Sequence, residues 1–546
     1  METREETIAR IARSNETITR YAPAYRALER RDFDSVYPLV FGYIRDRFLL
    51  TRDMCRSEDI MDLADASLRQ LLELRRRGID AGEIARSCSG ASSVIAKKVL
   101  LMKAVQDVFS VSMTPQEFAG IDTVSDLARF LCASGGNAVP EAPETPSGSG
   151  SADGFDPEHV RGDFPALSET VHGHPLVYLD NAATAQCPRT VLEAVQRIES
   201  CRGNVHRGIH TLSDRCTEVY EQARRTCAAF LGTQPGRLTF TAGTTDGINR
   251  VAAAMTGQPG GVAVTALEHH SNFVPWQQLC LREGRPFRVC PVLADGSPDL
   301  NALDRMLDGD ISLLAITGCS NVLGTVPPLE KIIPLAHSRG VRVLVDGAQS
   351  VCHTDVDVEA MDCDFFVCSG HKLGGPFGIG LLYCREPIPP AVFGGGMVDT
   401  VTQGHTDFLP TLEAGTPNVS GAAGLAAALE YRSKLPRGWQ AHEAALLRRA
   451  ETLLSELPGV RILGSGPRTG CLSLTLEGPS ALEAAALLDQ MGIALRSGNH
   501  CAQPLHAAMG TPFSLRISPA FYNTFGEIEA LALALRQILS GCTAGL

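Results

Sequence analysis

The hydrophobic positions of this chain change rhythm once. Up to about residue 133 they recur at three- and four-residue spacing with polar and charged residues between, the mark of amphipathic helices. Leu39–Leu50, Asp62–Arg77 and Val94–Phe109 carry the pattern. Thr114-Pro115-Gln116-Glu117 adds a helix start, with a capping hydroxyl, a proline in the first turn and a nearby acid. Thr123–Leu131 reads as a further short helix capped by Thr123 or Ser125. From Phe155 onward short apolar runs alternate with helical stretches. Leu238–Thr241, Val262–Ala266, Leu313–Thr317, Val341–Val345 and Phe365–Cys368 read as strands, and Asp246–Met255, Pro275–Arg282 and Leu329–Ser338 as helices. That alternation predicts a mainly parallel sheet with helices on both faces.

From about Gly421 the helical share grows, with Ala444–Leu457 and Ala481–Met491 as examples and strands such as Cys471–Leu476 between them. Between the two rhythms lies Ser134 to Gly154, SGGNAVPEAPETPSGSGSADG, almost entirely Gly, Pro, Ser, Ala and acid. Such a segment cannot bury a core and reads as a flexible linker. The expected organisation is an all-helical domain over 1–133, a linker over 134–154, a large α/β domain over 155–420 and a smaller α+β domain over 421–546. Residues 155–175 are expected to pack with the small domain.

Composition narrows the function. The 546 residues carry a formal net charge of −12, which supplies no field to attract phosphates and argues against a general nucleic-acid or anionic-membrane surface. The start, Met1-Glu2-Thr3-Arg4-Glu5-Glu6, is acidic rather than a secretory signal, and no apolar run is long enough to span a bilayer. Seventeen cysteines without small-domain spacing are then read as reduced thiols in a cytoplasmic protein. Most, including Cys363 and Cys368 around Phe365-Phe366-Val367, are expected in the core. No Cys/His grouping has zinc-ligand spacing, so no metal site is expected.

The strongest chemical constellation is Val343-Leu344-Val345-Asp346-Gly347-Ala348-Gln349 followed by Cys368-Ser369-Gly370-His371-Lys372. One buried strand ends in an aspartate and another in a lysine, and in α/β sheets ligands sit beyond the carboxyl ends of strands. Pyridoxal phosphate needs such a pair. A lysine must form a Schiff base and so spend time neutral, and an aspartate must keep the pyridine nitrogen protonated. Lys372 lies in a Gly/Ser/His-rich turn with Gly374-Gly375-Pro376 behind it, which is a poor description of a solvated surface lysine. Asp346 taken alone is equally a turn or cap residue. Thr241-Ala242-Gly243-Thr244-Thr245-Asp246-Gly247, between a strand and a helix, lets backbone N–H groups approach an anion at a helix N-terminus, as do many such turns. In Glu268-His269-His270-Ser271-Asn272 an imidazole could face the ring and move a proton, or simply be a hydrogen-bonded loop histidine.

Near the end stands Leu495-Arg496-Ser497-Gly498-Asn499-His500-Cys501-Ala502-Gln503-Pro504, after a strand over Gly492–Leu495. Gly498 gives the turn freedom. Arg496 and His500 are expected to make the loop electropositive, the setting that favours a thiolate nucleophile. A polar Arg/Asn/His loop is not a core, so Cys501 differs from the other cysteines. Arg516 is either a clamp for a substrate carboxylate or an ordinary ion-paired arginine.

From Phe155 to the C-terminus the chain resembles the group II, SufS-type cysteine desulfurases, class V aminotransferase-like enzymes of the fold-type I pyridoxal-phosphate class. The resemblance rests on Arg161-Gly162-Asp163-Phe164-Pro165, Tyr178-Leu179-Asp180-Asn181-Ala182-Ala183-Thr184, Val205-His206-Arg207-Gly208-Ile209-His210-Thr211, Gly243-Thr244-Thr245-Asp246-Gly247, Glu268-His269-His270-Ser271-Asn272, Ser320-Asn321-Val322-Leu323-Gly324, Asp346-Gly347-Ala348-Gln349, Ser369-Gly370-His371-Lys372 and Glu413-Ala414-Gly415-Thr416. It implies a seven-stranded-type, mainly parallel sheet and pyridoxal 5'-phosphate carried on Lys372. Asp346 would pair with the pyridine nitrogen, Gln349 contact the ring hydroxyl and His269 stack on the ring. Thr244, Thr245, Ser369 and His371 would bind the phosphate, with Thr416 supplied by the partner subunit of a homodimer. Asn321, Arg496, Arg516 and His206 would serve substrate binding. Cys501 would take sulfur from L-cysteine as a persulfide and leave L-alanine. The sulfur would serve iron–sulfur cluster or thio-cofactor synthesis, through a SufE- or SufU-like acceptor or the chain's own N-terminal domain. Selenocysteine lyase and cysteine-sulfinate desulfinase activities use the same site and are the alternatives. Asn499 and Asp246 depart from the family's usual histidine and glutamate.

Residues 99–131 resemble the second half of an acyl-carrier-like helical bundle without its Asp-Ser-Leu attachment site; Ser92 and Ser93 lie near its place. A degenerate carrier used for docking, a sulfur acceptor through Cys88 and a plain helical spacer all fit this segment.

Overall fold

The computed structural model describes residues 17–28, 30–76, 94–111, 113, 117, 120–133, 155–206 and 208–543. Cys88, Ser92, Ser93, Thr114-Pro115-Gln116 and the stretch 134–154 lie outside the described residues. The chain forms two compact units. One comprises the described residues before 134 together with 476–491 and 533–543. The other comprises 155–475 and 492–532.

The first unit is helical. Its N-terminal helices are Tyr21–Arg26, Phe33–Arg47, Ile60–Arg76, Val94–Phe109 and Val124–Ala133. The helix expected over Leu39–Leu50 begins earlier because Asp32 caps it, accepting from the Ser35 N–H at 3.0 Å. Thr123 and Asp126 bond reciprocally at the last helix start, Thr123 N–H and Oγ1 reaching Asp126 at 3.0 and 2.7 Å. Tyr25, Tyr43 and Phe109 are buried and meet edge-on, with ring centroids 5.1 and 5.4 Å apart.

The second unit is built on a seven-stranded sheet. In chain order its strands are β1 (Leu238–Thr241), β2 (Gly261–Thr265), β3 (Phe287–Cys290), β4 (Ile311–Thr317), β5 (Arg342–Asp346), β6 (Phe365–Ser369) and β7 (Gly380–Cys384). Their spatial order is β1-β7-β6-β5-β4-β2-β3. β2 to β6 run parallel, while β7 lies antiparallel to both β1 and β6. The mainly parallel sheet expected from the alternation is present, with one reversed strand that the pattern did not show. Helices cover both faces, so the inner strands are apolar throughout. Thr211–Phe230, Leu329–Ser338 and Val419–Ser433 pack on one face, and Val274–Glu283 with α1 (Thr244–Ala254) on the other.

A second sheet in this unit has four strands. They are β8 (Val460–Ile462), β9 (Leu472–Leu476), β10 (Arg496–Gly498) and β11 (Ser514–Ile517), in the order β8-β9-β11-β10. The expected strand Gly492–Leu495 shrinks to Ile493–Ala494, which pairs in parallel with Val177–Tyr178. Phe155, Val160, Phe164 and Leu167 pack with Ala520, Phe521 and Tyr522. Cys363 and Cys368 are buried in the core of the main sheet.

Strand ends place the chemistry. β5 runs one residue further than the apolar pattern suggests, so Asp346 is its last residue. Gly347 then passes directly against the ring of Phe366 on β6, leaving no room for a side chain. Gly347→Ala is expected to cost about 1–3 kcal/mol by overpacking and to displace Asp346. Urea denaturation and cofactor content measured together check this, and Phe366→Leu in the same chain should restore part of both.

Candidate active site

Five strand ends of the main sheet, two strands of the second sheet and the Cys501 loop converge on one cavity of about 250 Å³. Asp346 comes from the end of β5. Ser369, His371 and Lys372 come from the end of β6 and the turn after it, and Thr244 and Thr245 open α1 after β1. His269 follows β2 and Asn321 follows β4, while Arg516 lies on β11 and Arg496 on β10. Gln349, Ser271, His500 and Cys501 complete the lining. Two of the residues singled out in the sequence are elsewhere: His206 and Thr416 line a separate cavity of about 1350 Å³. There His206 Nε2 lies 3.0 Å from Glu221.

Asp346 is only 4% exposed, and burial pushes its carboxyl pKa up, against the pull of the Ala348 N–H (3.0 Å) and of Lys372. Lys372 counts as half-buried because it opens onto the cavity, yet it is enclosed enough that desolvation pulls its pKa below the lysine range, with Asp346 opposing. His269 is brought by burial, and then by Lys372, to a pKa of about 3, so its ring is neutral. His371 falls to about 4 for the same two reasons and meets Thr184 Oγ1 at 3.2 Å.

The anion end of the cavity lies at the start of α1. Gly243 precedes this helix at φ +145° and, as a glycine, offers no capping side chain of its own. Thr244, Thr245, Ser271 and Ser369 place four hydroxyls beside it. They are already paired, Thr244 Oγ1 lying 2.8 Å from Ser369 Oγ and Thr245 Oγ1 donating to Ser271 Oγ (2.7 Å), while the Thr244 N–H also donates to Ser369 Oγ (2.9 Å). Gln349 donates from Nε2 to the Ala182 carbonyl at 2.7 Å.

The two arginines do not stand free. They face each other as Cα partners across β10 and β11, an arrangement that like charges resist. Asp180 resolves it: Oδ1 lies 2.9 Å from Arg516 Nη2 and Oδ2 lies 3.1 Å from Arg496 Nε. Arg516 also donates from Nη1 to the Asn321 carbonyl at 2.9 Å, while its buried Nε has no partner among the described residues. Asp180 stands within the Tyr178–Thr184 motif, and nothing local marks its role, since its partners lie 316 and 336 residues away.

The electropositive loop expected around Cys501 needs correction at His500. This imidazole is buried, and burial together with Arg516 and His506 lowers its pKa to about 2. Hydrogen bonds fix its tautomer. His506 Nδ1 donates to the Ala502 carbonyl at 3.1 Å, so its Nε2 accepts from the Ser514 hydroxyl at 3.0 Å. Ser514 has one proton, so its oxygen accepts from His500 Nε2 at 3.0 Å. That leaves His500 neutral, with a buried Nδ1 that has no partner among the described residues. Cys501 itself is exposed at the cavity rim.

Residues 177–531 match the family Aminotransferase class-V. A cysteine desulfurase of Enterobacter sp. (strain 638) is 45% identical over 399 residues, which are 70% of this chain and 98% of that protein. The protein belongs to the class-V aminotransferase family, within its cysteine desulfurases. A cysteine desulfurase of Synechococcus elongatus is 43% identical over 411 residues, and the match spans 72% of this chain but 66% of that longer relative. The crystal structure of the Escherichia coli cysteine desulfurase CsdA superimposes with a TM-score of 0.65 at 38% identity, over 71% of this chain and 99% of that one. In each case the family match leaves over a quarter of this chain unaccounted for.

Two outcomes follow for this family member. Asp180→Ala leaves Arg516 buried without its counter-ion and is expected to cost about 3–5 kcal/mol of unfolding free energy, read by guanidinium denaturation. His500→Gln should leave the pH–rate profile between about pH 5.5 and 8 unchanged in shape, because the native imidazole stays neutral there. A lost or shifted limb in steady-state rates would contradict that assignment.

Proposed function

We propose that the protein is a pyridoxal-phosphate-dependent cysteine desulfurase that moves sulfur from L-cysteine onto Cys501 and releases L-alanine. The observation that carries the reading is that Lys372, Asp346 and Cys501 line a single cavity. An aminotransferase has no use for a thiol at that rim. The cavity also fits the cofactor's chemistry. It offers a buried carboxyl for a ring nitrogen, an enclosed lysine for a Schiff base and a helix start after a glycine with four hydroxyls beside it for a phosphate. Bound there, pyridoxal phosphate supplies the electron sink for bond breaking at the substrate carbons.

The chain's own residues do the rest. Lys372, held below the ordinary lysine pKa, moves protons to and from the substrate carbons. Neutral His269 would lie against the ring; its Nδ1 accepts from the Ser271 N–H at 3.1 Å, which leaves the Nε2–H as the group that can donate toward the substrate. Asn321, Arg496 and Arg516 orient the substrate, its carboxylate competing with Asp180 for the two guanidiniums. The Cys501 thiolate attacks the substrate sulfur. An S–S bond forms as the carbon–sulfur bond breaks, the electron pair leaves with the carbon, and protonation of that carbon gives alanine.

His206 and Thr416 are out of reach of this cavity within one chain. We read them as serving the site of a second copy in a homodimer. A SufE- or SufU-like protein, or the chain's own N-terminal unit, accepts the sulfur in the cytoplasm for iron–sulfur or thio-cofactor synthesis. The N-terminal helices we read as a docking module.

Purified holoenzyme given L-cysteine and a reducing thiol is expected to form alanine and sulfide in equal amounts. Cys501→Ala should keep the cofactor absorbance while alanine formation falls by at least about 100-fold, and Lys372→Ala should lose the Schiff-base absorbance as well. Undiminished sulfur transfer by the Cys501 variant would overturn the reading.

A further inference from the structure

The backbone around Cys501 is not one the loop adopts unaided. His500 and Cys501 have φ of +49° and +54°, two consecutive non-glycine residues in the left-handed region. Such conformations persist when surrounding contacts over-determine them, and they gather at functional sites. Asn499 Oδ1 gives local support by accepting from the Cys501 N–H at 3.1 Å. Two other segments supply the rest. Asn321 Nδ2 donates to the His500 carbonyl at 2.8 Å. His270 holds the loop at two points: its own N–H donates to the Cys501 carbonyl at 2.7 Å, and its Nε2 accepts from the Gln503 N–H at 3.3 Å.

The second of these bonds falls where it matters. Gln503 is the first residue of the helix Gln503–Ala508, and N–H groups of a first turn have no acceptor within their helix. An imidazole nitrogen therefore does for Gln503 what an N-cap side chain does elsewhere. His270 directly follows His269, so one turn after β2 presents one imidazole to the cavity and sends the next to the cysteine loop. His270 itself does not line the cavity. Its Nε2 must be unprotonated to accept, and burial lowers its pKa in the direction that keeps it so.

We propose that His270 is a positioning residue for sulfur transfer: its imidazole and backbone N–H hold the cysteine loop in the left-handed conformation that brings the Cys501 thiol to the cavity. This rests on reading Cys501 as the sulfur carrier. Loss of the imidazole leaves the backbone bond but frees the Gln503 N–H, and the loop relaxes away from its strained geometry. Substrate binding inside the cavity does not depend on that bond, so the step that slows is the attack on the substrate sulfur.

The test uses the holoenzyme with His270→Ala and His270→Gln, the amide oxygen of glutamine standing in for Nε2. Cofactor absorbance during an L-cysteine titration gives the substrate Kd, and rapid-quench intact mass gives the rate of persulfide formation on Cys501. His270→Ala should keep its cofactor and a Kd within about twofold of the parent, while persulfide formation slows by about 10- to 100-fold. His270→Gln should recover to within about threefold of the parent rate. Persulfide formation at the parent rate in His270→Ala overturns the proposal. So does loss of cofactor or of substrate affinity in both variants, which would make His270 a structural residue. Parent protein that forms no persulfide overturns the desulfurase reading and this proposal with it, and that failure shows before any variant is compared.

Discussion

A carboxyl and an amine, shut away together at the ends of two neighbouring parallel strands, set the terms for the rest of this molecule. Neither Asp346 nor Lys372 keeps its ordinary proton affinity, because desolvation acts on both and in opposite directions. An isolated pair of that kind is costly in a protein interior. It is tolerable at the mouth of a sheet where a cationic ring and a carbonyl carbon can be received. The apolar strands that bury the pair, the glycine that lets Asp346 turn past Phe366 and the helices on both faces all serve to hold that small volume in shape.

Charge is arranged around the same volume with equal economy. Arg496 and Arg516 stand side by side on adjacent strands, and Asp180 bridges them. Two positive groups and one negative leave the rim one charge short of neutral. A single carboxylate is the complement. The histidines nearby contribute shape and hydrogen bonding rather than charge, since burial keeps His269 and His500 neutral. Groups left without partners among the described residues, Arg516 Nε and His500 Nδ1, belong to residues that line this same cavity.

The sequence displays the parts whose cause is local. Leu238–Thr241, Leu313–Thr317 and Phe365–Cys368 are legible as strands because they are buried on both faces and their apolar runs are unbroken. Lys372 and Asp346 stand out for the same reason, as polar residues that end such runs. β3 (Phe287–Cys290) escapes notice because it is a half-exposed edge strand; β7 (Gly380–Cys384) is also missed as a strand, and its reversal leaves no mark on composition. The neutral state of His500 is set by Ser514 and His506, and the role of Asp180 by two distant arginines. Those are properties of neighbours in space, and no spacing along the chain announces them.

Distance along the chain has a further consequence. Asn181 is tied to Ser518, 337 residues on, and to Tyr522, and Asp180 to Arg516, so the rim is stitched from the two ends of the catalytic region. During synthesis the growing polypeptide displays its lysine long before it possesses the arginines and the cysteine. The nascent chain can form its central sheet early, but the pocket is completed only once residues 496–522 have been made. A chain that stops before Arg496 holds the lysine and the aspartate but neither arginine nor the cysteine, so it presents an incomplete pocket rather than an unregulated one.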